Sequence, residues 1–225
     1  MAKRIVVKVG SGYIFERNEE GFYLPRSDQI SGIAYEVSEL SEEHELMIVS
    51  SGAIATAAWK QRLNRLPDND YEKAMLSEKG QPHLMEMYIS EFEKYGKRCA
   101  QCLITKEDLE QRKRRRNLRR LQEWYFLTET IRIYNENDSM CVSEISFGDN
   151  DILSAHLAKY MDADLLVMLS CPQEGLGFGG DKSKKMAREM LNEEGITLEI
   201  INKPYERDES GIFKPVIRFA LGTDS

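Results

Sequence analysis

Lys8 stands inside the apolar run Arg4–Val9, two residues before the turn Gly10-Ser11-Gly12. A lysine there has two readings. One is an edge-strand residue whose stem snorkels to water. The other is a fixed cation at the mouth of a sheet, aimed at a phosphate. A second small-residue turn, Ser50-Ser51-Gly52, follows Ile48-Val49. Such turns let a backbone approach a ligand and offer N–H groups to an anion. A third glycine segment runs from Gly175 to Gly180. It contains a formal GxGxxG, but it starts five residues after Ser170 with Pro172 between, so it is not the tight first turn of a dinucleotide fold. Asp181 likewise spoils the spacing of a phosphate P-loop. What remains is a glycine loop entering a helix whose first turn holds Lys182, Ser183 and Lys184. Cations are unfavourable at a helix N-terminus, and an anionic ligand would compensate them.

Two Asx-rich segments come between. Asn135-Glu136-Asn137-Asp138 follows the run Ile131–Tyr134 directly. Four polar side chains at the end of a buried strand are costly unless they bind something, although a plain Asx turn is the other reading. Phe147-Gly148-Asp149-Asn150-Asp151 precedes an apolar helix. One Asx residue caps a helix, and a cap does not need three. His44, His83 and His156 have no ligand spacing, and no Ser/His/Asp arrangement is legible. Cys99 and Cys102 fall on opposite faces of a strand, which suits core packing and not a metal. Arg112–Arg120 holds seven basic residues in nine and reads as a solvated helix face.

The elements that must position these residues follow from hydrophobic periodicity. Arg4–Val9, Leu46–Ser50, Arg98–Ile104, Ile131–Tyr134, Asp164–Ser170 and Thr197–Ile201 read as strands. Four are nearly continuous apolar runs, as in a parallel sheet covered on both faces. Ile30, Ile33, Ala34, Val37 and Leu40 share one helix face, as do Leu84, Met87, Tyr88, Phe92 and Tyr95. Further helices are expected over Asn150–Met161 and Lys182–Glu194. Glu16–Arg26 and Leu66–Tyr71 read as surface excursions. Strand and helix alternate throughout, which predicts a doubly wound α/β fold over residues 1–225 as one domain.

The chain has 225 residues, 41% apolar and 31% charged, enough for a core without disulfide or metal staples. A net charge of −7 disfavours a nucleic-acid partner. No apolar run reaches membrane-span length. Four cysteines without a disulfide framework, and a strand-like run beginning at once after Met1, point to the cytoplasm.

Taken in order, Val6–Ser11, Ile48–Ala55, Gly80-Gln81-Pro82, Leu103-Ile104-Thr105 with Asp108 and Arg112, Asn135–Asp138, Phe147–Asp151 with Leu153-Ser154-Ala155, Ala163–Leu166, and Gly177–Gly180 with Lys184 resemble the amino acid kinase family, in its glutamate-phosphorylating branch. The resemblance implies a three-layer sandwich with a mostly parallel central sheet. It implies transfer of the γ-phosphoryl of ATP to the side-chain carboxylate of glutamate or a close analogue, as in the first step of proline biosynthesis. Mg²⁺ would be carried on the nucleotide, with no metal site on the protein. Lys8 and Lys184 would neutralise the phosphoryl group, and Asp151 would hold them. Gly10, Ser11 and Gly52 would offer backbone N–H groups. Ser51, Asp138 and Asn150 would hold glutamate. Ser170, Gly179 and Gly180 would belong to the nucleotide site. A homo-oligomer is expected, with neither nucleic acid nor membrane as partner.

The chain departs from that pattern. Cys171 stands in place of an Asp, and the chain passes at once to the glycine loop without the family's Gly-Leu-Tyr, Asp-Pro and following helix. Gly12 replaces a hydroxyl residue, and the resemblance does not extend to a C-terminal PUA domain, so none is expected. A weak adenosine contribution to ATP binding is therefore expected. The alternative from another class is a non-catalytic binder of an amino acid or nucleotide, serving as a sensor or assembly partner.

Overall fold

The computed structural model describes residues 1–128, 130–142, 150–171 and 181–222. Its strands are β1 (Arg4–Val9), β2 (Phe15–Arg17), β3 (Tyr23–Pro25), β4 (Glu45–Ser50), β5 (Arg98–Ile104), β6 (Thr130–Glu136), β7 (Leu165–Leu169) and β8 (Thr197–Ile201). Its α-helices are α1 (Ser11–Ile14), α2 (Ser27–Leu40), α3 (Ala53–Lys60), α4 (Asp70–Phe92), α5 (Lys106–Glu110), α6 (Arg112–Phe126), α7 (Asn150–Tyr160) and α8 (Asp181–Glu193). The six strands expected from the apolar runs form one sheet in the order β5-β6-β4-β1-β7-β8. Every pairing within it is parallel.

Helices cover both faces, so the architecture is the expected three-layer sandwich. Alternation along β1 sends Ile5, Val7 and Val9 to one core, packed with Ile30, Ile33 and Val37 of α2 and Leu84, Tyr88 and Phe92 of α4. Val6 enters the other, with Leu109 of α5, Leu118 of α6, Leu153 and Leu157 of α7 and Leu191 of α8. Lys8 has the parity of Val6 and faces the α7–α8 layer. It pairs with Val49 on one side and Met168 on the other. β1 is thus an interior strand, which overturns the edge-strand reading of Lys8. Cys99 packs against the first core and Cys102 against the second, on opposite faces as strand alternation requires. Burial pushes the Cys99 thiol up to about 12.

Two details differ from the periodicity. Glu16–Arg26 is not a bare loop: Phe15–Arg17 pairs antiparallel with Tyr23–Pro25, and Tyr23 is buried under the Arg17 guanidinium. Tyr95, expected on the α4 face, lies in a 3-10 turn after the helix and is exposed. Among the described residues, no helix is long and apolar enough to cross a membrane.

Two close fits lock the α2–α4 layer. A Cβ on Gly80 of α4 would lie 1.8 Å from the Ala53 carbonyl oxygen and 3.0 Å from the Ala57 nitrogen. Helices α3 and α4 therefore touch backbone to backbone, and only glycine allows it. Two residues on, Pro82 removes one helical hydrogen bond from α4. The second fit is a latch on Glu36 of α2, which is buried. Its carboxylate accepts the backbone N–H groups of Val216, Ile217 and Arg218 and the hydroxyl of Tyr205. A buried carboxylate is tolerated when donors surround it in this way.

Candidate active site

Parallel strands deliver their carboxyl ends to one edge of the sheet, and ligands of such sheets bind there. Gly10 follows β1, Ser51-Gly52 follow β4, Asn137-Asp138 follow β6 and Ser170 follows β7. The N-termini of α7 and α8 arrive at the same edge. These two helices place Asp151, in the first turn of α7, between two lysines. Lys8 Nζ ion-pairs with Asp151 Oδ1, and Lys184 Nζ lies 3.1 Å from Oδ2. Ser183 Oγ donates to the same Oδ2 at 3.2 Å. Asp151 is fully buried, and the Lys8 and Lys184 side chains are 9% and 18% exposed. Burial alone would push the Asp151 carboxyl up. The two ammonium groups outweigh it and hold the group below the usual carboxylate range. The carboxylate stays ionised and keeps two cations aimed at one spot.

The backbone donors expected at that spot are only partly available. The Gly10 N–H is already given to the Leu169 carbonyl at 3.0 Å. The reading of Gly10 as a free N–H donor therefore does not hold. Strand register spends it on the β1–β7 ladder, and its small size is what matters. A Cβ there would lie 3.2 Å from the Leu169 oxygen and 3.6 Å from Lys8 Nζ. Ser11 opens α1, and its N–H has no partner within the helix. Gly52 precedes α3 with φ of 110°, a left-handed conformation that favours glycine. α3 therefore starts just after β4, and its first-turn N–H groups have no partner within the helix. Ser170, half-buried, gives its N–H to the Ile201 carbonyl. Gly179, Gly180 and the rest of the glycine loop lie outside the described residues.

The other half of the site sits over β4 and β6. Ser51 is half-buried at the end of β4, and its N–H is held by the Val9 carbonyl. Asp138 accepts a hydrogen bond from Ser77 Oγ of α4. Burial pushes its carboxyl above the usual range, and the Ser77 bond opposes that. Asn150 Nδ2 donates to Asn135 Oδ1 at 3.1 Å, tying the start of α7 to the end of β6. The structure thus brings Lys8, Lys184 and Asp151 into contact, with Ser51, Asp138 and Asn150 along the neighbouring strand ends.

Several participants were not singled out from sequence. Ser183 was visible only as part of a helix first turn. Asn135 was visible only as part of its Asx-rich segment, and Ser77 gave no local signal, since its partner Asp138 is 61 residues away in the chain. Arg26 opens the way into α2, and its Nη1 lies 3.4 Å from Cys171 Sγ. That contact places a further cation where β7 ends. Among the described residues, no group of three His, Cys, Asp or Glu could hold a metal.

The profile described as the amino acid kinase family matches residues 3–202. A glutamate 5-kinase of Leishmania donovani is 39% identical over 170 residues, covering 75% of this chain and 61% of that protein. A glutamate 5-kinase of Meiothermus ruber is 41% identical over 169 residues, covering 75% of this chain and 43% of that protein. The chain thus spans about half the length of the bacterial relative. Among solved structures, an isopentenyl phosphate kinase superposes with a TM-score of 0.61 at 15% identity, covering 99% of this chain and 97% of the other. A carbamate kinase from Giardia lamblia bound to AMP-PNP superposes with a TM-score of 0.57 at 14% identity, covering 88% and 92%. At such identities these two speak for the fold.

Proposed function

We propose, from the premise that this chain belongs to the amino acid kinase family, that it transfers the γ-phosphoryl of ATP to the side-chain carboxylate of glutamate. The observation that carries the reading is the buried Asp151 carboxylate held between Lys8 and Lys184. The relatives named glutamate 5-kinase direct it to glutamate, and so to the first step of proline biosynthesis. The cytoplasm and a homo-oligomeric state belong to the same proposal.

Phosphoryl transfer asks a protein for in-line positioning and charge stabilisation more than for covalent help. A carboxylate oxygen of the acceptor attacks the γ-phosphorus, the bond to ADP breaks, and an acyl phosphate forms. The acceptor is already an anion, so no general base is needed. Lys8 and Lys184 face the charge spreading over the transferring oxygens, and Asp151 keeps them from drifting with it. Ser11 and the first turn of α3 add N–H groups. Mg²⁺ on the phosphates would neutralise further charge. The residues present fit a metal held by the nucleotide, because Asp151 is already engaged by two ammonium groups. Hydroxylamine trapping with ATP, Mg²⁺ and a panel of carboxylic amino acids tests the reading. A hydroxamate with glutamate is expected, and its absence with every acceptor would leave a non-catalytic binder.

Asp138 is expected to face the acceptor's ammonium group, away from the phosphates. Asp138→Asn should weaken glutamate binding far more than binding of an ATP analogue, as separate calorimetric titrations would read. The Asp138 carboxyl titrates above its ordinary range and pairs with an ammonium only when ionised. Glutamate affinity of the wild type should therefore rise as pH climbs from acid towards neutral, and the variant should lose that dependence. Equal weakening of both ligands would indicate a collapsed turn.

The nucleotide half yields a different expectation. Only residues 170–180 join β7 to α8, which leaves little chain for an adenine pocket. The ATP analogue should bind only slightly better than tripolyphosphate. Tight analogue binding by a monomer, with tripolyphosphate far weaker, would overturn this.

A further inference from the structure

Gln81 of α4 is 6% exposed, and its side chain is only half satisfied. Oε1 accepts from Gln101 Nε2 of β5 at 3.0 Å, while Nε2 is buried without a hydrogen-bond partner among the described residues. A buried, idle N–H donor is costly and asks for an acceptor. Its surroundings say which. The preceding residue, Gly80, packs against the carbonyl of Ala53, in the segment that carries Ser51 and Gly52. Ser77, four residues earlier and so on the same helix face, holds Asp138. Asn150 offers the converse group: Oδ1 is buried and partnerless among the described residues, while Nδ2 is spent on Asn135.

We infer that Gln81 Nε2 donates to the α-carboxylate of the acceptor, so that the site reads a free α-amino acid head. An idle donor on Gln81, an idle acceptor on Asn150 and the Asp138 carboxylate complement a carboxylate and an ammonium on one carbon. Gln81 and Asp138 belong with β5 and β6, and Lys8 belongs to β1. β6 and β4 both separate β5, which carries the Gln101 partner of Gln81, from β1, so the two ends of the site are about 14 Å apart. That span suits an extended five-carbon dicarboxylate with its head at Gln81, the transferring phosphoryl group lying between its reacting carboxylate and the lysines. The inference rests on the proposed acceptor site and adds a specificity-determining residue to it.

Two acceptors isolate the contact. 4-Aminobutyrate keeps the carboxylate and ammonium of glutamate but lacks the α-carboxylate. Wild type, Gln81→Met and Gln81→Glu would each be assayed for kcat/KM with both acceptors and titrated calorimetrically, with melting temperatures confirming folding. Losing a buried hydrogen bond to a charged group should cut the glutamate value about 10–100-fold. The 4-aminobutyrate value should hardly change, so the glutamate preference collapses. Gln81→Glu, which places a carboxylate against a carboxylate, should lose more than Gln81→Met. If both acceptors fall together, or neither changes, Gln81 is a structural residue whose donor meets buried water, and the inference is overturned. If wild type neither binds nor phosphorylates glutamate, the acceptor reading fails as a whole, a separate result.

Discussion

Lys8→Ala is expected to lower turnover about 10²–10³-fold, the usual cost of removing one charge-stabilising donor from a reacting oxygen. Lys184→Ala should do the same. The two part company in stability. Asp151 is fully buried, and Lys8 is the more enclosed of its two ammonium partners. Lys8→Ala should also cost about 2 kcal/mol of stability, since part of a buried charge is left uncompensated. Lys184→Ala should cost less. Pairing Lys8→Met with Asp151→Asn removes the stranded charge and should restore melting temperature, while turnover stays low. Steady-state rates and thermal melts of the three variants decide. Near wild-type turnover in either lysine variant would dismiss that residue from the chemistry.

Gly80→Ala carries the largest expected effect on folding. In an exposed helix interior, alanine is more favourable than glycine by up to about 1 kcal/mol. Here the sign should reverse. The new methyl group would meet the Ala53 carbonyl at 1.8 Å, and the nearest atoms are backbone that no rotamer change can clear. The α3–α4 pair must separate, which should cost about 3 kcal/mol or more. For a chain of this length that lowers the melting temperature by roughly 6–12 °C. Glutamate binding should fail with it, since Ser51 leads into α3 and Ser77 sits on α4. An unchanged melting curve would disprove the backbone contact.

Strands that are covered on both faces leave nearly unbroken apolar runs, which is why β1, β4, β6 and β7 were legible from residue types. Lys8 stood out for the same reason: it interrupts such a run. Asp151 and Lys184 were legible only through their company in short motifs and helix first turns. Their meeting depends on the sheet order, which no local pattern encodes. Helix α3 was missed because Ala53–Ala58 is small and apolar nearly all round, with no polar face to mark a period. The β2–β3 hairpin was missed because each strand has three residues and the turn signals of Gly21 and Pro25 dominate. The fate of the Gly10 N–H was invisible, because register decides it. Gln81 lies between a glycine and a proline, which reads as a helix breaker. Its burial comes from the fit of Gly80 against Ala53.

The Glu36 latch has a consequence for the order of events when the chain is made. Its partners lie 169 to 182 residues further on. Helix α2 can form early from local contacts, but its carboxylate must stay hydrated until the segment from Tyr205 to Arg218 arrives. Contacts this distant in sequence are slow to close, because the loop between them must be ordered first. Docking of the Tyr205–Arg218 segment on α2 is therefore a late step. A ribosome-bound chain with only its first two hundred residues free would hold an open flank along α2, a place for a chaperone to bind until that segment emerges.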